Sequence, residues 1–324
     1  MKRRDVLTGA AALALASGVS GHATAATRFR YAHFSPTDDP NHVTSLAFAE
    51  KVKQATNGDS EIALFPNAQL GGEVDVVEGI LLGTIDMAIP GAAVMANWIP
   101  EMNVLNMPFA FRDWAHYTRI IQGPLFDRIV AAAAAKNIRI LGMLTSGARH
   151  IMSRMPVKEF ADLKGRKIRT VQNPVHVATF NAFGANATAI AYPEVFSSLQ
   201  TGVVDGADAA NTNYFTQKFY EVAPNWAQVF WLYYSNCMIM SEAKFKRLPA
   251  DRQKILMDVG RQAGVDHFKL YEASDLAIFE QLKAKGVNIT YPDTTPFREA
   301  SKKIHDQFLK SEQERQLLQL ILTA

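Results

Sequence analysis

The sequence predicts an α/β protein of two domains between which the chain crosses more than once. Three observations carry this prediction. The chain has 324 residues, and at roughly 100–200 residues per domain that length supplies about two cores. The segment after residue 26 alternates short β-like runs with helical ones, the order of a largely parallel sheet flanked by helices. Late in the chain a helical pattern of unusual length follows a long apolar run, as expected of an element that bridges domains.

Thr27–His33 alternates polar and apolar residues and reads as the first strand. Asn41 is placed to cap a helix running to about Thr56, with Val43, Leu46, Ala47, Phe48 and Val52 on its apolar side. Glu61–Phe65 is a second strand, stopped by Pro66-Asn67. A helix over Gly72–Leu82 and a short strand over Asp86–Ile89 complete the first pattern. From Ile138 the runs lengthen: Ile138–Thr145, Ala148–Ser153 and Lys167–Val171 read as strands. Helices are expected from Pro174 to about Phe183 and from Pro193 to Gln200, with proline in a first turn where its missing N–H costs nothing. Trp226–Met240 is a long apolar run suited to passing back between domains. Asp251–Lys285 exceeds the usual length of about 8–20 residues for a globular helix. It is expected to bend at Gly260 or Gly264.

Residues 1–25 read as a cleaved export signal. Lys2-Arg3-Arg4 precede an apolar run from Val6 to about Val19, and Ala23-Thr24-Ala25 offers small residues for cleavage. A spanning helix needs about 20 apolar residues, so this run is too short for one. The Arg3-Arg4 pair leaves both the Sec and the twin-arginine routes open. No cysteine lies near the cleavage point, so a free periplasmic protein is expected. Removing Lys2, Arg3, Arg4 and Asp5 leaves 31 basic against 30 acidic residues, so the net charge of +3 falls to near +1.

Charged residues are 20% and aromatic residues 10% of the chain, which excludes a disordered or low-complexity protein. The small net charge and the lack of a basic stripe with interleaved aromatics give no footing for nucleic acid. The single cysteine, Cys237, excludes an intramolecular disulfide and reads as a buried structural thiol. No nucleophile elbow, phosphate loop, dinucleotide fingerprint or zinc-spaced histidine pair is present. No enzyme activity, cofactor or metal is therefore expected.

Arginines in β-like contexts are the residues that suggest chemistry. Arg149 lies in Gly-Ala-Arg-His and Arg169 in Lys-Ile-Arg-Thr. At the cleft end of a strand a guanidinium offers a planar fork that matches a carboxylate. Such a charge-assisted bond is worth roughly 1.5–3 kcal/mol. Taken alone, Arg169 has a second reading as part of a solvated basic edge with Arg166 and Lys167. The carboxylates Asp205 and Asp208 read as solvated or capping loop residues.

Asp162-Leu163-Lys164-Gly165-Arg166-Lys167-Ile168-Arg169 resembles the D-L-K-G-x-K-x-R signature of TRAP transporter solute receptors, the DctP-type periplasmic substrate-binding proteins. Phe65–Gly72 (FPNAQLGG), Gly83–Ala88 (GTIDMA), Met107–Phe111 (MPFAF), Leu199–Gly206 (LQTGVVDG) and Gln217–Val222 (QKFYEV) resemble further family segments, in the family order. The resemblance implies a two-lobed periplasmic binding protein of type II-like fold, each lobe a β-sheet flanked by helices, with the long helix bridging them. It implies lobe I from residues 26–146 plus about 236–272, and lobe II from 147–235 plus about 273–324. A small carboxylate ligand, small and large integral membrane subunits as partners, and a monomeric receptor follow from it.

Residue by residue, the resemblance makes Arg169 the salt-bridge partner of the ligand carboxylate, Arg149 its assistant and Tyr192 the ring packed on the ligand. The family often places asparagine three residues after the D-G pair, where this chain has Ala209. Asp208 precedes it and Asn211 and Asn213 follow; either asparagine substitutes, or the ligand is anchored differently. His33, Ser35, Thr37 and Asn41 follow the first strand and are candidates for reading the rest of the ligand, or for turn capping. Asn236 and Tyr234 on the apolar return run are candidates for lining the cleft or the hinge. Gly91-Ala92-Ala93 supplies no charge opposite, which argues against sialic acid. C4-dicarboxylates, hydroxy and keto acids, sugar acids and aromatic acids stay open as ligands. So do an exported hydrolase or lyase and a receptor of an ATP-driven importer as alternative functions.

Overall fold

In the computed structural model, which describes residues 27–324, nine strands join in one hydrogen-bonded sheet. They are β1 (Thr27–His33), β2 (Ser60–Phe65), β3 (Met87–Ile89), β4 (Ile138–Ser153), β5 (Lys167–Thr170), β6 (Asn186–Ala189), β7 (Gly206–Ala209), β8 (Asn225–Ser241) and β9 (Asn288–Thr290). The export signal read at residues 1–25 lies outside the described residues.

The sheet order is β2-β1-β3-β8-β4-β7-β5-β6, with β9 paired to β8 off this path. β1 pairs parallel with β2 and β3, and β5 pairs parallel with β6 and β7. These two parallel groups are joined by β4 and β8, which run antiparallel to each other along most of their length. At about 3.3 Å per residue, 16 and 17 residues reach roughly 50 Å, enough to serve both halves of the molecule. The fold is the expected mixed α/β arrangement with two lobes. Its sheets are continuous, however, because the same two strands contribute to each.

The two runs read as Ile138–Thr145 and Ala148–Ser153 are a single strand. The gap between them coincides with a register shift between Thr145 and Ala148, where Gly147 adopts a φ of 71°. A bulge of this kind bends a strand and re-aims the side chains beyond it, and Arg149 follows two residues later. The region expected as a helix from Pro193 begins as a 3-10 turn over Tyr192–Glu194 and becomes α-helical at Val195–Gln200.

Two expectations for the first helix need correction. It spans Pro40–Ala55 and is capped by Asp39, whose side chain accepts from the Asn41 N–H at 2.8 Å; Asn41 itself lies inside the first turn. Its inward face is apolar only in part: Phe48 and Val52 are buried as expected, but Val43 and Leu46 are 45% and 50% exposed. Asn41, His42, Thr44 and Ser45 are buried in their place. Thr44 Oγ1 meets His267 Nδ1 at 2.8 Å, His42 Nδ1 meets His33 Nε2 at 3.0 Å, and the Ser45 hydroxyl donates to the Asn41 carbonyl at 2.7 Å. Buried polar groups are tolerated where they find such partners.

The long helix is unbroken over Ala250–Ala284. Gly260 and Gly264 serve close approach: a Cβ at either would fall within 2.7 Å of the carbonyl oxygens of Leu141 and Met143 on β4. Gly142 meets Gly260 from the strand side in the same way. Facing glycines let the helix rest directly on the strand backbone beside the bulge. There His267 Nε2 meets the Thr145 carbonyl at 2.9 Å. Cys237 is fully buried, as expected of a structural thiol.

Gly260→Val should lower the free energy of unfolding by about 1–3 kcal/mol through overpacking against β4, measured by urea denaturation. Unchanged stability would show that the helix can lift from the strand without cost.

Candidate functional site

Both parallel groups end at the same place, and their C-terminal ends frame a small cavity. Phe34 follows β1 and Val171 follows β5, while Arg169 projects from β5 itself. Ser146 and Arg149 come from the bulged part of β4, and Tyr234 from the facing part of β8. Glu73 starts the helix Glu73–Leu82, Tyr192 starts the 3-10 turn, and Asn213 belongs to the helix Asn211–Thr216. The enclosed free space is about 10 Å³.

Arg149 and Asp208 form a buried ion pair because β4 and β7 are neighbours, with Ile151 opposite Asp208. The guanidinium donates from Nε to Asp208 Oδ2 at 2.9 Å and from Nη2 to the Asp208 carbonyl at 2.7 Å. Their side chains are only 4% and 0% exposed, so neither is the solvated group that its sequence context suggested for Asp208. Burial alone would raise the Asp208 carboxyl, but the Arg149 charge and hydrogen bond more than reverse this and hold it below its ordinary range. Arg149 is thereby fixed against the cavity, with its guanidinium carbon 5.0 Å from the centre of the Tyr234 ring.

Arg169 is placed differently. It is 1% exposed, which excludes the solvated basic edge; Lys167, two residues away, is the exposed member of that cluster. Its Nε donates to the Ile190 carbonyl at 2.9 Å, and among the described residues it has no ion-pair partner within 4.0 Å. Burial pushes its guanidinium below the ordinary value, opposed by the charges of Asp208 and Glu73. Tyr192 covers it, with the ring centre 5.9 Å from the guanidinium carbon, and Phe34 meets Tyr192 edge-on at 5.0 Å.

Glu73 is the charged cavity-lining side chain that sequence reasoning missed. Gly91-Ala92-Ala93 is uncharged as expected, yet the Gly91 N–H donates at 2.7 Å to Glu73 Oε1 and so anchors a carboxylate on this side of the cavity. Gly91 must be glycine, because a Cβ there would lie 2.0 Å from the Tyr234 hydroxyl. The available signal was an acidic residue in the first turn after the Gln69–Gly72 stretch, where a helix N-terminus alone would explain it.

The other predicted residues divide. Asn213 lines the cavity and donates to Asp39 Oδ2 at 3.2 Å, tying the helix Asn211–Thr216 to the cap of Pro40–Ala55. Asn211 turns away: its Oδ1 accepts from Trp226 Nε1 at 2.9 Å and its Nδ2 donates to Asp275 Oδ2 at 2.8 Å. Asn236 donates to the Ser146 hydroxyl at 2.6 Å and supports a lining residue without lining the cavity itself. His33 is buried behind Phe34 against His42, and burial lowers it to about 4. Ser35 is likewise buried beside the Asp39 cap.

Two roomier surface clefts, about 590 and 460 Å³, are poorer candidates. One is lined by Gln172–Pro174, Val177 and Phe308 without a charged side chain. In the other, Arg28, Lys53 and Glu61 already pair among themselves. Size favours these clefts, whereas desolvated charge favours the small cavity.

Asp208→Ala should cost about 3–5 kcal/mol of folding stability, since it strands Arg149 as a buried unpaired cation. Denaturant titration of the variant checks this, and a loss below about 1 kcal/mol would mean that the pair is screened as at a surface.

A model of the family described as bacterial extracellular solute-binding protein, family 7, matches residues 31–312. The 2,3-diketo-L-gulonate-binding periplasmic protein of Escherichia coli (strain K12) is 32% identical over 313 residues, 96% of this chain and 95% of that one. A TRAP periplasmic solute-binding protein from Xanthobacter autotrophicus, solved with bound β-D-galacturonate, matches with a TM-score of 0.89 at 29% identity. That match covers 91% of this chain and 99% of the other. A second, from Pseudomonas putida F1 with bound D-glucuronate, gives a TM-score of 0.88 at 30% identity over 92% and 97% of the two chains. Matched along nearly its whole described length by solute receptors, the chain belongs to the family 7 bacterial extracellular solute-binding proteins of the TRAP type.

Proposed function

We propose that this protein is the periplasmic receptor of a TRAP transporter for a sugar acid of the hexuronate class, delivering it to the small and large integral membrane subunits. The observation that carries this reading is Arg169, a buried guanidinium without an ion-pair partner among the described residues, facing a cavity between the two parallel groups of strands. A ligand carboxylate supplies what it lacks. Arg149, already committed to Asp208, holds the rim of the same anion site and assists. Asn213 takes the role that Ala209 cannot.

The charges favour one carboxylate over two. Among the described residues Arg169 is the cavity guanidinium left without an ion-pair partner, and Glu73 adds a carboxylate to the lining. A C4-dicarboxylate would bring a second anion with no cation to meet it, and burying an unpaired charge is costly. Hydroxyl groups instead offer hydrogen-bond partners to Glu73, Ser146 and Asn213. The galacturonate and glucuronate bound in the solved relatives have this character, as does the diketogulonate named for the Escherichia coli relative.

About 10 Å³ of free space holds no sugar acid, so the lobes part to admit the ligand and close over it. The lobe division proposed is 26–146 plus about 236–272 for the first and 147–235 plus about 273–324 for the second. The packing of Leu317, Leu318 and Ile321 with Met102 and Tyr117 supports moving the last helix, Glu312–Thr323, to the first. A ligand drives closure only through higher affinity for the closed form. Cleavage of residues 1–25 on export places the receptor where its ligand is.

Arg169→Ala should weaken D-glucuronate binding by at least about a hundredfold in calorimetry, the loss of two charge-assisted hydrogen bonds, with an unchanged circular dichroism spectrum. Arg149→Ala should weaken it less. Undiminished affinity in the Arg169 variant would overturn the assignment.

A further inference from the structure

The cavity's charges balance without a ligand, and this has a consequence for what binds with one. Four ionic side chains converge there: Arg149 and Asp208 cancel as a hydrogen-bonded pair, leaving Arg169 opposite Glu73. Glu73 is 7% exposed, and among the described residues no cationic nitrogen lies within 4.0 Å of it. Its Oε1 is held by the Gly91 N–H, while no hydrogen bond is made to Oε2 among the described residues. The groups facing it are Arg149 from β4, Arg169 from β5, Tyr192 from the 3-10 turn and Tyr234 from β8, with Asp208 behind Arg149. On its own helix Asp75 points outward and accepts from the Gly72 N–H at 2.8 Å.

We propose that the receptor binds its sugar acid together with one proton, carried by Glu73. This rests on the reading that the ligand carboxylate pairs with Arg169. Once it does, the cavity lining and its Arg149–Asp208 pair hold three carboxylates and two guanidiniums. Asp39, behind Asn213, is a further buried carboxylate without a cation, but three amide donors hold it, so the excess negative charge falls on Glu73, which has one. A buried uncompensated charge is neutralised more cheaply by protonation than tolerated. Protonation at Oε2 leaves Oε1 accepting from Gly91 and turns Oε2–H into a donor toward a ligand oxygen. No bond of the ligand breaks; the proton comes from solvent.

Burial already raises the Glu73 carboxyl above its ordinary value, while the nearby Arg169 and Arg149 hold it back. A ligand anion cancels that restraint and raises it further. Linkage then fixes the sign. Affinity is highest below the titration of the free protein and falls as pH rises toward that of the complex, by up to about tenfold per pH unit.

Calorimetry with D-glucuronate in buffers of different ionisation enthalpy tests the proposal. The expected result is an uptake approaching one proton per ligand between the two titrations. In Glu73→Gln, which keeps the oxygen that Gly91 requires, the uptake should be absent and the affinity flat with pH. Buffer-independent heats in the native protein at every pH, or an uptake that persists in the variant, would overturn it. If the variant does not bind, difference infrared spectra of the native protein decide. A protonated-carboxyl C=O band gained on D-glucuronate addition supports the proposal, and none contradicts it. A native protein giving no heat with D-glucuronate or D-galacturonate would overturn the sugar-acid reading itself.

Discussion

Arg169 is almost wholly withdrawn from water, with one hydrogen bond to a backbone carbonyl and no ion-pair partner among the described residues. Keeping a guanidinium there is unfavourable unless an anion arrives, and the surrounding structure is arranged around that condition. β5 is placed between β6 and β7 so that the arginine faces the cavity. Tyr192 and Phe34 close over it. Asp208 engages the second arginine, which leaves Arg169 as the cavity guanidinium without an ion-pair partner among the described residues. On the proposed reading, the cavity selects by charge count as well as by shape.

The proposed opening needs a scaffold that is rigid within each lobe and still lets the lobes move apart. β4 and β8 supply continuity, and their register shifts interrupt it. The register shift at Thr145–Ala148 lies between the strand positions that pair near β3 and those that pair near β7. Beside it the long helix is pressed onto β4 through Gly142, Gly260 and Gly264, and His267 engages the Thr145 carbonyl. The polar inner face of Pro40–Ala55 belongs to the same region. Hydrogen bonds there, such as Asn213 to Asp39 and Asn236 to Ser146, join segments distant in sequence. A polar contact can be broken and remade on opening at smaller cost than a packed apolar one, since water replaces the partner.

Much of this was legible in the sequence. Strand alternation and punctuation located β1, β2, β3, β4 and β5 to within a residue or two, and the Ser146-Gly147 interruption was visible as a gap between two β-like runs; Trp226–Met240 was visible as an apolar crossing run but not as the strand β8. Arg169 was visible as a fork on a strand, and the resemblance to TRAP receptors singled it out from its basic neighbours. What stayed hidden depended on contacts between distant segments. The helix Pro40–Ala55 buries Asn41, His42, Thr44 and Ser45 beside Phe48 and Val52, so hydrophobic periodicity was right for these last two and wrong for Val43 and Leu46. Asp208 and Glu73 looked like ordinary loop and helix-start acids, because only the β4–β7 pairing and the Gly91 N–H make them interior. That β4 and β8 serve both lobes follows from pairing partners that no local pattern encodes.

The central claim is that a ligand carboxylate completes the charge of Arg169. A crystal structure of the native protein with D-glucuronate tests it most directly. The account predicts the carboxylate against the Arg169 guanidinium in two hydrogen bonds, the Arg149–Asp208 pair intact, and the sugar hydroxyls toward Glu73 and Asn213. A sugar bound in the reverse sense, with its carboxylate away from Arg169, would contradict it.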